Sequence, residues 1–156
     1  MSEAADLYDR DFVAWTEEQA ARLRAAAAAR VNADVDWANV AEEIESLGRS
    51  DLRQVRSRLT TIIEHLLKLQ HSPALEPRPG WVATIARERR EIEALLDESP
   101  SLRARLPELL ARAARMGTAD AVDALRARGE PGPSVDRAIS WEVERILGDW
   151  LPETPA

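Results

Sequence analysis

Between Ser50 and Gln70 the chain reads SDLRQVRSRLTTIIEHLLKLQ, and this stretch decides the fold class. Leu52, Val55, Leu59, Ile62, Ile63, Leu66, Leu67 and Leu69 recur at helical intervals and make one broad apolar stripe over about five turns. Ser50 stands where a helix N-cap belongs. A strand would need strict alternation with β-branched residues, and no part of the chain sustains that pattern.

Helical signals continue on both sides. Upstream, a first helix is expected from about Asp6 to Arg30, with Tyr8, Phe12 and Trp15 stacked on one face and Leu23 continuing it. A second opens after Asp36, an N-cap with Val35 and Val40 placed as a hydrophobic staple, and turns Trp37, Val40, Ala41, Ile44 and Leu47 inward. Gly48 either stops it or weakens it. Downstream, the prolines between Ser72 and Gly80 predict a loop, and a fourth helix runs from Trp81 to about Asp97 with Val82, Ile85, Ile92, Leu95 and Leu96 inward. Ser99-Pro100 is a start signal for a helix carrying Leu102, Leu106, Leu109, Leu110 and Ala113, which Pro107 should kink. Gly117-Thr118 reads as a stop and restart before a short helix ending at Gly129. Pro131-Gly132-Pro133 reads as a turn. A last helix carries Ile139, Trp141, Val143, Ile146 and Leu147, ahead of a loose tail over 152–156. The expected architecture is all-α: a compact antiparallel helical bundle of about five to seven helices in a single domain over 1–156.

The 156 residues suit one domain, large enough to bury a core without covalent staples. Cysteine is absent, which excludes disulfides, thiol nucleophiles, iron–sulfur clusters and cysteine-ligated zinc. A net charge of −7 argues against nucleic acid as a partner. No apolar run approaches the roughly 18 residues of a membrane span, and the acidic first residues do not resemble an export signal. The cytoplasm is therefore the expected location. Lys68 is the only lysine among 21 basic residues, the rest being arginine.

Several strings together resemble one family. They are Tyr8-x-x-Asp11-Phe12-x-x-Trp15, the run Asn39-Val40-Ala41-Glu42-Glu43-Ile44-Glu45-Ser46-Leu47-Gly48-Arg49-Ser50, His65-Leu66-Leu67-Lys68, Trp81-x-x-Thr84-Ile85, Ser99-Pro100-Ser101-Leu102-Arg103, and Ile146-Leu147-x-x-Trp150-Leu151-Pro152. The chain is similar over nearly its whole length to the bacterial family catalogued as domain of unknown function twenty-nine. That resemblance implies a compact helical fold and carries no established activity or cofactor. The sequence departs from the family pattern at Pro107, where a plain helix is usual. It departs again in the proline-rich loop after His71, which replaces a basic and aromatic segment.

Asp11, Glu43, Glu45 and His65 form the candidate polar cluster. At about 100° per residue, Glu43 and Glu45 straddle the stripe at Ile44, while Glu42 points to solvent. His65 lies at the rim of its own stripe, with Glu64 and Lys68 outward. Such a Glu/His set is either a structural hydrogen-bonded pair or a metal or acid–base site. Against a metal, the Glu-x-x-His pairs of helical di-iron sites are missing and only two histidines are present. No metal and no cofactor is expected. His71, at a helix end, reads as a solvated cation favoured by the helix dipole.

Tryptophan and arginine are the types enriched at binding hot spots, which makes Trp141 and Trp150, near the C-terminus, the candidate interface. Arg49, Arg53 and Arg56, and again Arg87, Arg89 and Arg90, alternate with acids, so both sets read as salt-bridged, solvated faces. Nucleophile elbows and phosphate loops are absent, and six glycines leave little room for them. The expectation is a protein–protein interaction module without catalysis, bound to an unknown protein partner or to itself as a homodimer. Neither nucleic acid nor membrane is an expected partner. The alternative is a metal-assisted or acid–base enzyme built on the Glu/His cluster.

Overall fold

The computed structural model describes residues 3–29, 35–130, 132 and 141–153. Its elements are α1 (Glu3–Arg10), α2 (Phe12–Ala28), α3 (Trp37–His71), α4 (Arg78–Glu98), a 3-10 helix (Pro100–Arg105), α5 (Leu106–Ala127) and α6 (Val143–Leu147). No strand occurs among the described residues, so the fold is all-α. The chain divides into two compact units. One comprises 1–54 with 94–104, the other 55–93 with 105–156. α3 runs through the division between Gln54 and Val55.

In the first unit the expected long opening helix is two helices, and Asp11 is the reason. Its backbone is extended (φ −157°, ψ 92°), and its carboxylate accepts from Ala14 N at 2.9 Å as the N-cap of α2. The same carboxylate accepts from Ser101 N at 2.6 Å and Ser101 Oγ at 2.8 Å. Ser99 Oγ accepts from the next orphan donor, Val13 N, at 3.1 Å. A cap supplied partly by Ser99, 86 residues from the N–H it accepts, leaves little local trace. The aromatic trio survives the break. Trp15 stands edge-on to Tyr8 with ring centres 4.9 Å apart, and Phe12 stacks on Trp15 at 6.0 Å.

α3 is continuous for 35 residues, so neither Gly48 nor Ser50 interrupts it. Gly48 is needed for packing: a β-carbon there would collide with the hydroxyl of buried Thr16, which is itself engaged with Val13 O at 2.7 Å. Asp36 caps α3 as expected, accepting from Asn39 N at 3.2 Å. The inward face is narrower than the sequence suggests. Ala41 is buried, Trp37 and Ile44 are half-buried, and Val40 and Leu47 are exposed at 38% and 52%.

The second unit holds the larger core. Val55, Leu59, Ile62, Ile63, Leu66, Leu67 and Leu69 of α3 are all buried, as their stripe predicts, alongside Ile85 and Ile92 of α4 and Leu109, Leu110, Ala113, Ala121 and Leu125 of α5. Gly117 does not stop α5. A β-carbon there would lie 2.7 Å from Thr60 O and 3.0 Å from the Ile63 side chain, so glycine permits α5 to approach α3 this closely. Pro107 does not kink α5 either. The helix begins at Leu106, which places the proline in the first turn, where its missing N–H costs nothing. Pro79 and Gly80, expected in a loop, likewise lie in the first turn of α4.

Chain ends of these helices are sealed by identifiable groups. Arg78, opening α4, donates to Leu69 O at 2.9 Å and Ser72 O at 3.3 Å, satisfying carbonyls at the end of α3. α5 closes on Gly129, whose φ of 71° suits only glycine comfortably. Gly129 N donates to Arg126 O and Glu130 N to Leu125 O, the paired bonds of a Schellman motif. The last helix is short: α6 spans five residues and excludes Trp141. Ile139, Pro131 and Pro133 lie outside the described residues.

Candidate functional site

Of the four residues in the expected polar cluster, Asp11, Glu43 and Glu45 belong to the first unit and His65 to the second. Asp11 is the cap of α2 already described. Glu45 is hydrogen-bonded to Arg24 of α2 and lies 3.5 Å from Arg49 Nη1, while Arg49 Nη2 reaches Glu42 at 2.5 Å. The Arg24 guanidinium holds the Glu45 carboxyl below its ordinary range. Glu43 is exposed and shares no partner with Asp11 or Glu45. Among the described residues, no three His, Asp or Glu side chains gather closely enough to hold a metal ion.

His65 is half-buried on α3, with Nδ1 2.9 Å from Thr61 O. That contact requires Nδ1 to carry the proton and leaves Nε2 as the acceptor. Burial, reinforced by the Lys68 ammonium, lowers the imidazole below its ordinary value of 6.5, so the ring stays neutral in the fold. Glu64 and Lys68, expected outward, are instead mostly covered and bonded to each other at 2.5 Å. The Lys68 ammonium also sits 5.7 Å from the buried Trp81 ring, which explains how the single lysine is accommodated. His71 is half-buried rather than solvated.

Nearby, Glu88 is buried and takes Arg58 Nη1 at 2.8 Å and Arg87 Nη2 at 3.0 Å. Burial alone would raise its carboxyl, but the two guanidiniums outweigh that and hold it low. This neutralised cluster of one carboxylate and two guanidiniums is structural chemistry. Breaking it from one side would strand a buried charge.

Arg89 departs from the expected salt-bridged face. Its Nε donates to Ile146 O and its Nη2 to Trp150 O, both at 2.8 Å, so it clasps the C-terminal segment by the backbone. Burial pushes its guanidinium down, partly offset by Asp149. Beside it a shallow cleft of about 310 Å³ is lined by Ala86, Arg89, Arg90, Glu93, Leu147 and Asp149. Trp150 is half-buried beneath the Arg145 guanidinium at 3.8 Å, and Trp141 is half-buried outside α6. Nothing local in the sequence marks an arginine whose partners are carbonyls 57 and 61 residues away.

The other feature hidden from the sequence is the edge of α3. Val40 and Leu47 sit one above the other, with Ile44 between them on the inward side, and their exposure leaves an apolar strip along the first four turns of the helix. Periodicity identifies an apolar face but not how much of it a neighbour covers.

The family comparison now adds to this picture. A family model for a domain of unknown function, DUF29, matches residues 7–151. The chain belongs to the DUF29 family. Its DUF29 fold is similar to the crystal structure of an alpha-helical protein of unknown function from Rhodospirillum rubrum, with a TM-score of 0.74 and 25% identity over 91% of this chain and 89% of that one. No functionally curated protein matches. No helix of the described residues is long and apolar enough to cross a membrane.

Proposed function

We propose that this DUF29 protein is a protein–protein interaction module of the cytoplasm, without catalysis of its own, and that it docks a partner on the exposed edge of α3. The observation that supports this reading is the strip formed by Val40, Ile44 and Leu47, with Leu47 exposed at 52%. Full burial of one such side chain is worth about 1.5–3 kcal/mol. Val40 and Leu47 are already about half covered, so burying the rest is worth about 2 kcal/mol, and the remainder of a partner's affinity comes from contacts flanking the strip. The half-buried Trp141 and Trp150 are a less favoured docking surface, because Trp150 is already covered by Arg145 and its carbonyl is held by Arg89.

An enzyme built on Glu43, Glu45 and His65 has less support. Glu45 is neutralised by Arg24, and Glu43 is exposed to solvent.

Light scattering on the purified protein, with and without extract from the native host, tests the reading against a Val40→Ser/Leu47→Ser double variant. The expected result is a complex or dimer formed by the wild type and lost in the variant. A wild-type protein that stays monomeric and binds nothing, or binds equally after the double substitution, would overturn it.

A further inference from the structure

From Trp37 to Gln54 the charges of α3 are sorted by side. At about 100° per residue, buried Ala41, Gly48 and Val55 mark the inward line. On one flank, Glu42 and Glu45 face Arg49, with Arg24 of α2 completing an offset network. On the other flank, as far as Gln54, lie the exposed Val40 and Leu47, together with Asp36, Glu43 and Asp51 and no base; the next charge on that side of the helix, Arg58, is already paired with Glu88 and Glu91. Asp36 is occupied by Asn39, and among the described residues Asp51 accepts from Gln54 Nε2 at 3.2 Å. Neither Glu43 nor Asp51 forms an ion pair among the described residues. Burial, with Glu98 as a like-charged neighbour, holds the Asp51 carboxyl above its ordinary range, the signature of an anion short of compensation.

We infer that the partner covering this edge is a cationic amphipathic helix, with an apolar stripe that meets Val40, Ile44 and Leu47 and lysine or arginine beside it that meets Glu43 and Asp51. This rests on the interaction reading above and names the partner's chemistry. A helix is the shape that fits, because the strip is a straight line of residues three and four apart. A second copy of α3 is disfavoured, since self-pairing brings Glu43 and Asp51 against their own like charges. The same sign disfavours phosphate-rich surfaces.

The test uses three designed helical peptides that share one leucine stripe and differ only in flanking lysine, glutamine or glutamate. Each is titrated calorimetrically into the intact protein, the Val40→Ser/Leu47→Ser variant and a Glu43→Lys/Asp51→Lys variant, with thermal melts confirming that each folds. The lysine peptide is expected to bind the wild type at least about tenfold tighter than the glutamine peptide, an advantage that shrinks as salt rises. The serine variant should weaken all three peptides, and the lysine variant should shift the preference to the glutamate peptide. Equal binding of the three at the same edge would overturn the cationic partner and leave the docking edge standing. Lysine-peptide binding untouched by either variant would reduce it to attraction by the net charge of −7 and overturn the inference. No binding by any peptide would also overturn it, with the light-scattering test deciding separately whether the edge docks anything.

Discussion

From Val55 to Leu69, α3 buries Val55, Leu59, Ile62, Ile63, Leu66, Leu67 and Leu69 to 2% exposure or less, whereas from Trp37 to Gln54 it fully buries only Ala41 and Gly48. Helix geometry is the same throughout, and both halves carry aliphatic residues at helical spacing. What differs is the cover each half receives within its own unit. In the second, α4 and α5 contribute large side chains and Gly117 permits close approach. In the first, α2 buries only Val13, Thr16 and Ala20, and of these Thr16 and Val13 lie against Gly48. An apolar residue therefore means cohesion in one half and an available surface in the other.

Truncation should separate the halves most sharply. Ile63→Ala is expected to cost about 2–5 kcal/mol of unfolding free energy in urea melts, while Leu47→Ala should fall within about 0.5 kcal/mol of the wild type. A comparable loss at Leu47 would break the distinction. Next in size are the packed glycines. Gly117→Ala should destabilise by about 1–3 kcal/mol, although alanine is the better helix former, because the carbonyl of Thr60 cannot give way as a side-chain tip could. Gly80→Ala, with nothing within 4 Å of the added carbon, should instead stabilise by about 0.5–1 kcal/mol. Asp11→Ala should cost about 1–2 kcal/mol, since it removes the cap of α2 and leaves Ser101 N without its acceptor. Asn at the same position should recover part of it.

The smallest effect is a pH dependence. The His65 imidazole titrates below 6.5 in the fold and near 6.5 when unfolded, so the unfolded chain binds the extra proton first. Stability should fall as pH drops through about 6.5 toward the lower folded value, and level off below it. His65→Gln should flatten that part of the profile. An unchanged slope would show that the ring is not held neutral as the geometry implies.

The second half of α3 was legible because its stripe is broad and its cover nearly complete, so periodicity and burial coincide. The all-α class followed from the same pattern, and the N-cap at Asp36 from a local rule. Gly48, Gly117 and Pro107 misled for a common reason. Local rules read glycine and proline as punctuation, but two are contact points with another helix and the third occupies a first turn where its defect is harmless. The break at Asp11 escaped because, among the described residues, two of the three hydrogen bonds to its carboxylate come from Ser101. For the candidate site, the residue types near the exposed edge were visible in the run from Asn39 to Ser50. That Val40 and Leu47 lack a cover was not, because coverage is a property of the neighbour.

Arg89 has a consequence for how the C-terminal segment can vary. Its guanidinium grips two carbonyl oxygens, groups that every residue type supplies. The side chains of Leu147 and Asp149 can be rewritten without loosening that grip, provided the spacing of the two carbonyls is kept, whereas at Gly148 a β-carbon would lie 2.7 Å from Glu144 O. A one-residue deletion there should be more disruptive than several substitutions. Lysine in place of Arg89 would have a single ammonium where a planar fork now reaches both oxygens. The segment is thus fastened by its length, and apart from its glycine its lettering matters little to that fastening.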